Sequence, residues 1–327
     1  MMLSPISTLI DSSWYIYSDE PVISGSFYKQ RLSDPEVLTP EESPDGRWHM
    51  FAHTWVGVEH FVSNSGFDWK PMKLVVVRGQ SPFIYKQDQS YYLFYETHDR
   101  DYQGRKRRKN RASRISVMKS NDLAMWTTPE VVLESKDVPC ASDFSQPRVS
   151  RPQVIFNEGK YFLYFGSSEV KMYDSKQKAA AYFCLATSDN LMGPYKVEAK
   201  PIISIEPDGR FNNLAVGSVK VLPCLDALAA IQSTFIFDEK QGKSRSVLIL
   251  LSSKDGRSFK FERVLMESPE KGWASGYISC AEVIRIENEQ SWYCYFSANV
   301  RSSILPFPSK GGLGLLLGHD KIKTVFS

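Results

Sequence analysis

An aspartate opens one short apolar run of this chain and an arginine opens another. Asp34 stands in Ser33-Asp34-Pro35-Glu36-Val37-Leu38, and Arg151 in Arg151-Pro152-Gln153-Val154-Ile155. A carboxylate at the start of a rigid strand can act as a general base toward water; before proline it can also simply form a turn. A guanidinium in the same place can hold a carboxylate or phosphate through two parallel hydrogen bonds, or it can neutralise Asp34 as a structural ion pair. Glu96, Glu169 and Glu282 are the available proton donors. Glu96 stands close to His98 in Tyr95-Glu96-Thr97-His98-Asp99, which makes a proton relay conceivable. A donor carboxyl must stay protonated near neutral pH, and that takes burial or a neighbouring negative charge.

The elements that must position these groups repeat. The apolar run after Asp34 returns as Ser81-Pro82-Phe83-Ile84-Tyr85, after Arg151, as Ser279-Cys280-Ala281-Glu282-Val283-Ile284, and in degenerate form as Gly217-Ser218-Val219-Lys220-Val221. Aromatic strands follow polar turns: Trp48-His49-Met50-Phe51, Tyr91-Tyr92-Leu93-Phe94-Tyr95, Tyr161-Phe162-Leu163-Tyr164-Phe165 and Trp292-Tyr293-Cys294-Tyr295-Phe296. A further strand then ends in Ser, a turn residue and an aromatic, as in Ser63 to Trp69 and Ser252 to Phe259. One such sheet cannot bury both of its faces alone, so repetition predicts a β-propeller. The expected fold is all-β: five four-stranded antiparallel blades around a central channel, near residues 33–79, 80–148, 149–210, 211–270 and 277–327. Ser13-Trp14-Tyr15-Ile16-Tyr17 is β-prone and is expected to complete the last blade.

In a propeller the inner strands begin around one mouth of the channel, and the second strands end on the same face. Function concentrates at strand ends and loops on a rigid scaffold. The inner-strand starts are Asp34, Ser81, Arg151, Ser218 and Glu282; strict alternation could instead turn Glu282 into the interface between blades. The second-strand ends supply His53, Thr54 and Trp55, Glu96 and His98, Ser167, Ser168 and Glu169, and Ser297 and Asn299. From these, His53, Trp55, Ser81, His98, Arg151, Ser168 and Asn299 are the expected binding residues. The Trp55 indole suits the C–H face of a sugar ring.

Composition narrows the rest. The chain has 327 residues, 42% of them hydrophobic, enough for a continuous core as a single domain. A net charge of +3 is too small to imply nucleic acid or a membrane as partner. Seven cations in ten residues, from Arg105 to Arg114, read as a solvated loop within blade two because no aromatics are interleaved to stack bases. Five cysteines without CxxC spacing read as buried thiols, so neither metal nor cofactor is expected. No apolar run is long enough to span a bilayer, and Met1 to Ile10 lacks the features of a signal peptide, so the expected location is cytoplasmic.

The five-unit pattern, the Ser33-Asp34-Pro35-Glu36-Val37 opening and the segment Ala186-Thr187-Ser188-Asp189-Asn190-Leu191-Met192-Gly193-Pro194-Tyr195 resemble glycoside hydrolase family 43. They also resemble the related invertase, levansucrase and mannoside phosphorylase families. The resemblance implies a small glycoside or oligosaccharide in the central pocket. It implies an aspartate base opening blade one, an orienting aspartate opening blade three and a glutamate acid opening blade four. Asp34 matches the first position. Arg151 stands where the second is implied, and no acid lies between Arg210 and Leu225 for the third. The readings that follow are a glycosidase with Asp34 as base and a relocated acid among Glu282, Glu96 and Glu169; a carbohydrate-binding propeller without catalysis; and a phosphorylase or glycosyl-transfer domain with Arg151 on phosphate.

Overall fold

Alternation along the second strands dictates how the molecule is assembled. Met50 and Ala52 pack toward the last blade while Phe51 between them packs toward the second. Leu93 and Tyr95 face back to blade one, and Phe94 faces forward to blade three. Successive side chains of a strand point to opposite faces, so every blade supplies half of two interfaces. Five apolar clusters result, one between each pair of neighbouring blades, including one that joins blade five to blade one. That last cluster closes the ring. Full burial of a Phe or Leu contributes about 1.5–3 kcal/mol, so the stability of the ring resides in these seams.

The computed structural model describes residues 3–25, 32–98, 113–143, 148–299 and 311–320. Five four-stranded antiparallel blades surround the channel. Blade one is Leu32–Leu38, Trp48–Thr54, Gly57–Ser63 and Lys70–Val77, and blade two is Gln80–Gln87, Ser90–His98, Ser113–Ser120 and Glu130–Glu134. Blade three is Val149–Asn157, Lys160–Ser167, Tyr182–Ser188 and Lys196–Val197, with a small hairpin, Val170–Lys171 and Lys178–Ala179, beside it. Blade four is Ala215–Pro223, Leu228–Asp238, Lys243–Ser253 and Lys260–Glu267. Blade five is Ile278–Ile286, Ser291–Asn299 and Gly311–His319, completed by Ser13–Ile16 from the N-terminal segment. A short helix, Ile6–Asp11, lays Ile6 and Leu9 into the seam between blades four and five. Among the described residues no helix is long and apolar enough to cross a membrane. The cations from Arg105 to Arg111 lie outside the described residues.

The repeated serine turns have a physical cause. Ser63 Oγ accepts the Gly66 amide at 2.9 Å and Ser253 Oγ accepts that of Gly256 at 2.9 Å. A tyrosine from the preceding blade then seals each turn. Tyr295 donates to the Gly66 carbonyl at 2.8 Å, and Tyr164 to that of Gly256 at 2.9 Å. Both glycines have positive φ, and a Cβ at Gly256 would lie 2.5 Å from the Tyr164 hydroxyl. Only glycine fits there without strain.

Candidate functional site

Every inner strand carries a bulge where it meets the channel mouth. The pairing register shifts between Ser33 and Glu36, Gln80 and Phe83, Ser150 and Gln153, Ala215 and Ser218, and Ser279 and Ala281. Within these bulges Asp34, Ser81, Arg151 and Cys280 adopt φ between 49° and 53°, and Gly217 takes φ 79°. The left-handed conformation costs a non-glycine residue about 1–3 kcal/mol and gathers at functional sites. Bulges likewise re-aim side chains beside active sites. Four strained side chains are thereby brought to one mouth.

They form a connected ring. The Asp34 carboxylate is held by Arg151 Nε on Oδ1 at 3.3 Å, and by Ser81 Oγ at 3.2 Å and Ser33 Oγ at 3.3 Å on Oδ2. His53 Nδ1 stands 3.4 Å from the same Oδ2. The Asp34 amide donates to Ser297 Oγ at 3.1 Å. Arg151 Nε also reaches Cys280 Sγ at 3.2 Å, and the Cys280 amide donates to Ser218 Oγ at 3.0 Å. Burial alone would raise the Asp34 carboxyl, but the Arg151 charge and His53 overcome it and hold Asp34 well below the usual carboxylate range. Burial pushes the Cys280 thiol up to about 11, so it stays neutral.

Two residues further along each inner strand lies a second ring: Glu36, Phe83, Gln153, Lys220 and Glu282. Lys220 Nζ sits between Glu36 Oε2 and Glu282 Oε2 and lies 4.5 Å from the centre of the Phe83 ring. Glu36 Oε1 accepts the Ile84 amide at 3.0 Å, and Gln153 Oε1 accepts the Val221 amide at 2.7 Å. Two buried carboxyls share one ammonium. Burial, with the Glu36 charge beside it, raises Glu282 well above its ordinary value, and burial raises Glu36 less. Like charges this close resist ionising together, and the shift toward the protonated form is the stronger at Glu282.

A third cluster lies where blades two and three meet. Arg148 clamps Glu96 with Nε to Oε1 at 2.6 Å and Nη2 to Oε2 at 2.9 Å, and reaches Glu169 Oε1 with Nη1 at 2.5 Å. His98 Nε2 stands 2.8 Å from Glu96 Oε1, and Lys178 from the small hairpin holds the other oxygen of Glu169. Burial would raise both acids, yet Arg148 prevails: Glu96 falls to about 2 and Glu169 also drops. Neither holds a proton to donate at neutral pH.

The mouth thus gathers Asp34, Ser81, His53 and Arg151, with Glu282 beneath them and Glu96, His98 and Glu169 around Arg148. Ser168 is buried and donates to the Cys140 carbonyl at 3.2 Å. Asn299 Oδ1 accepts the Tyr277 amide at 2.9 Å. Trp55, on the turn between the second and third strands of blade one, is 73% exposed. Sequence reasoning missed Cys280, Lys220 and Glu36 as site members. For Glu36 and Lys220 a faint signal was present, a charged residue two positions after Asp34 and Ser218 inside an otherwise apolar strand; Cys280 carried none.

Residues 73–211 match the sequence profile of Glycosyl hydrolases family 43. No curated protein matches the chain significantly. Among solved structures, Zg3597, a family 117 glycoside hydrolase produced by the marine bacterium Zobellia galactanivorans, is 15% identical with a TM-score of 0.58, covering 94% of this chain and 91% of its own. An exo-1,5-alpha-L-arabinanase from a bovine ruminal metagenomic library is 14% identical with a TM-score of 0.58, covering 88% and 94% respectively. The GH43_1 enzyme from Xanthomonas citri complexed with xylose is 12% identical with a TM-score of 0.58, covering 90% and 88%. At such identities the likeness is one of fold. The chain is a glycoside hydrolase-like five-bladed propeller resembling family 43, with Arg151 and Gly217-Ser218 where the resemblance implies an aspartate and a glutamate.

Proposed function

We propose that the mouth binds a small glycoside or oligosaccharide and hydrolyses it, with Asp34 as general base and Glu282 as the proton-donating partner. The observation that carries this reading is the contrast between two buried carboxyls on adjoining inner strands: Asp34 is paired with Arg151 and driven toward ionisation, while Glu282 shares Lys220 with Glu36 and is driven toward protonation. Carboxyls driven apart in this way mark base and acid assignments. Asp34 would orient and deprotonate water, His53 and Ser81 would fix its carboxylate, and Trp55 would offer a face to the sugar ring. Glu96 and Glu169, both ionised against Arg148, serve instead to position the wall of the mouth beside Arg151.

The contact of Glu282 with Lys220 favours a second reading, a propeller that binds sugar without cleaving it. A panel of nitrophenyl glycosides, with calorimetric titration of the same sugars, separates the two. In the enzyme, Asp34→Asn lowers turnover by about 10²–10⁴-fold while affinity changes little. In a binder there is no turnover, and the same substitution weakens affinity by about 1–3 kcal/mol. Sugar-independent behaviour of both wild type and Asp34→Asn refutes the glycoside reading altogether.

A further inference from the structure

Arg148 and Arg151 stand three residues apart and use their guanidinium groups differently. All three nitrogens of Arg148 are engaged, by Glu96, Glu169 and Gln80. Arg151 donates through Nε alone, shared between Asp34 Oδ1 and Cys280 Sγ. Neither Nη nitrogen of Arg151 has a hydrogen-bond partner among the described residues, and 23% of the side chain is exposed. A guanidinium carries five N–H donors in a planar fork, so four of those on Arg151 remain for a ligand. The contacts at Nε fix the plane of the group, and a fork held in advance loses less entropy on binding. Chemistry that matches such an edge is a planar or tetrahedral oxyanion taken up through two parallel hydrogen bonds.

From this we infer that the mouth selects an anionic sugar, a glycoside bearing a carboxylate or a like oxyanion, whose charged group docks on the Nη edge of Arg151. The inference rests on the glycoside reading of the same mouth and adds the substrate class. Asp34 lies on the far side of the Arg151 group, across Nε, so it accepts sugar hydroxyls without facing the ligand anion along the Nη edge. Hydroxyls of a neutral sugar can accept from these donors too, but singly and without a charge to meet the guanidinium, so the neutral–charged hydrogen bonds they form are weaker than the parallel pair an oxyanion makes. The sequence resemblance implies aspartate at this position, so the exchange to arginine reverses the charge that a sugar meets there.

Calorimetric titration with glucuronate and galacturonate, against glucose and galactose, and with inorganic phosphate and sulfate, tests it in wild type and in Arg151→Lys, which keeps the charge and loses the fork. A uronate bound at least about tenfold more tightly than its neutral parent, with the advantage gone in Arg151→Lys, supports the inference. Phosphate or sulfate that competes with the uronate and depends equally on Arg151 supports the oxyanion fork and assigns a free oxyanion as its occupant. Neutral sugars that bind as tightly as uronates, or a uronate preference that survives in Arg151→Lys, overturn it. The wild-type comparison alone decides if Arg151→Lys does not fold. Hydrolysis of neutral glycosides only would sink this inference and leave the proposed function standing; uronate binding without turnover would do the reverse.

Discussion

The two rings of the channel are built from the same parts and reach opposite outcomes. In the upper ring one carboxylate, Asp34, meets one arginine, and hydroxyls from Ser33 and Ser81 complete its shell. In the lower ring two carboxyls, Glu36 and Glu282, share one lysine. A one-to-one pair keeps its acid ionised, whereas a two-to-one cluster in a buried space must hold a proton. Stoichiometry, more than burial, separates the rings, because Asp34 and Glu282 are both buried. The cations differ as well. Lys220 is enclosed between its partners, and Arg151 keeps an open edge.

Lys220 is the only cation that Glu36 and Glu282 share among the described residues. Lys220→Met leaves Glu36 and Glu282 buried without a cation, and removing one partner of a buried ionic cluster costs about 3–5 kcal/mol. Urea unfolding at pH 7.5 should show that loss, and it should shrink as the pH is lowered and Glu36 joins Glu282 in the protonated form. An undiminished loss at acid pH would mean that Lys220 acts through packing alone.

Removing the Glu282 carboxyl should have a smaller effect. Glu282 has a raised pKa in the folded state, so its contribution to stability is fully present below the unfolded value of about 4.3 and is lost as pH rises through the folded value. Glu282→Gln removes that ionisation and leaves Glu36 paired one-to-one with Lys220. The variant should therefore gain on wild type as pH rises above about 4.3, with a slope approaching about 1.4 kcal/mol per pH unit, the limit for one proton. Parallel stability curves would show that Glu282 ionises freely. Asp34 runs the other way. Its depressed pKa contributes stability above the unfolded value and loses it as pH falls toward the folded one.

Much of the fold was legible because a propeller repeats its instructions. The aromatic strands and serine turns state the same unit several times, and alternation assigns their faces. Asp34, Ser81 and Arg151 were legible for the same reason, as openings of equivalent strands. The lower ring was harder to read. Glu36 and Lys220 look like surface residues in a strand, and only the bulges bring them into the channel by shifting the phase of alternation. Cys280 among apolar neighbours reads as core, and nothing local says that its backbone turns left-handed beside Arg151. The capture of Glu96 and Glu169 by Arg148 was equally hidden, because that pairing joins residues far apart in sequence.

Asp34 and Glu282, on this reading, are poised toward opposite protonation states at neutral pH. Carbon-13 labelling of aspartate and glutamate side-chain carboxyls, followed by NMR from pH 3 to pH 9, reads this directly. One glutamate signal, missing from Glu282→Gln, should remain in the protonated range at pH 7, and one aspartate signal, missing from Asp34→Asn, should stay ionised at the acid end. A Glu282 carboxyl that titrates with the exposed glutamates, or an Asp34 carboxyl that titrates with the exposed aspartates, would contradict it.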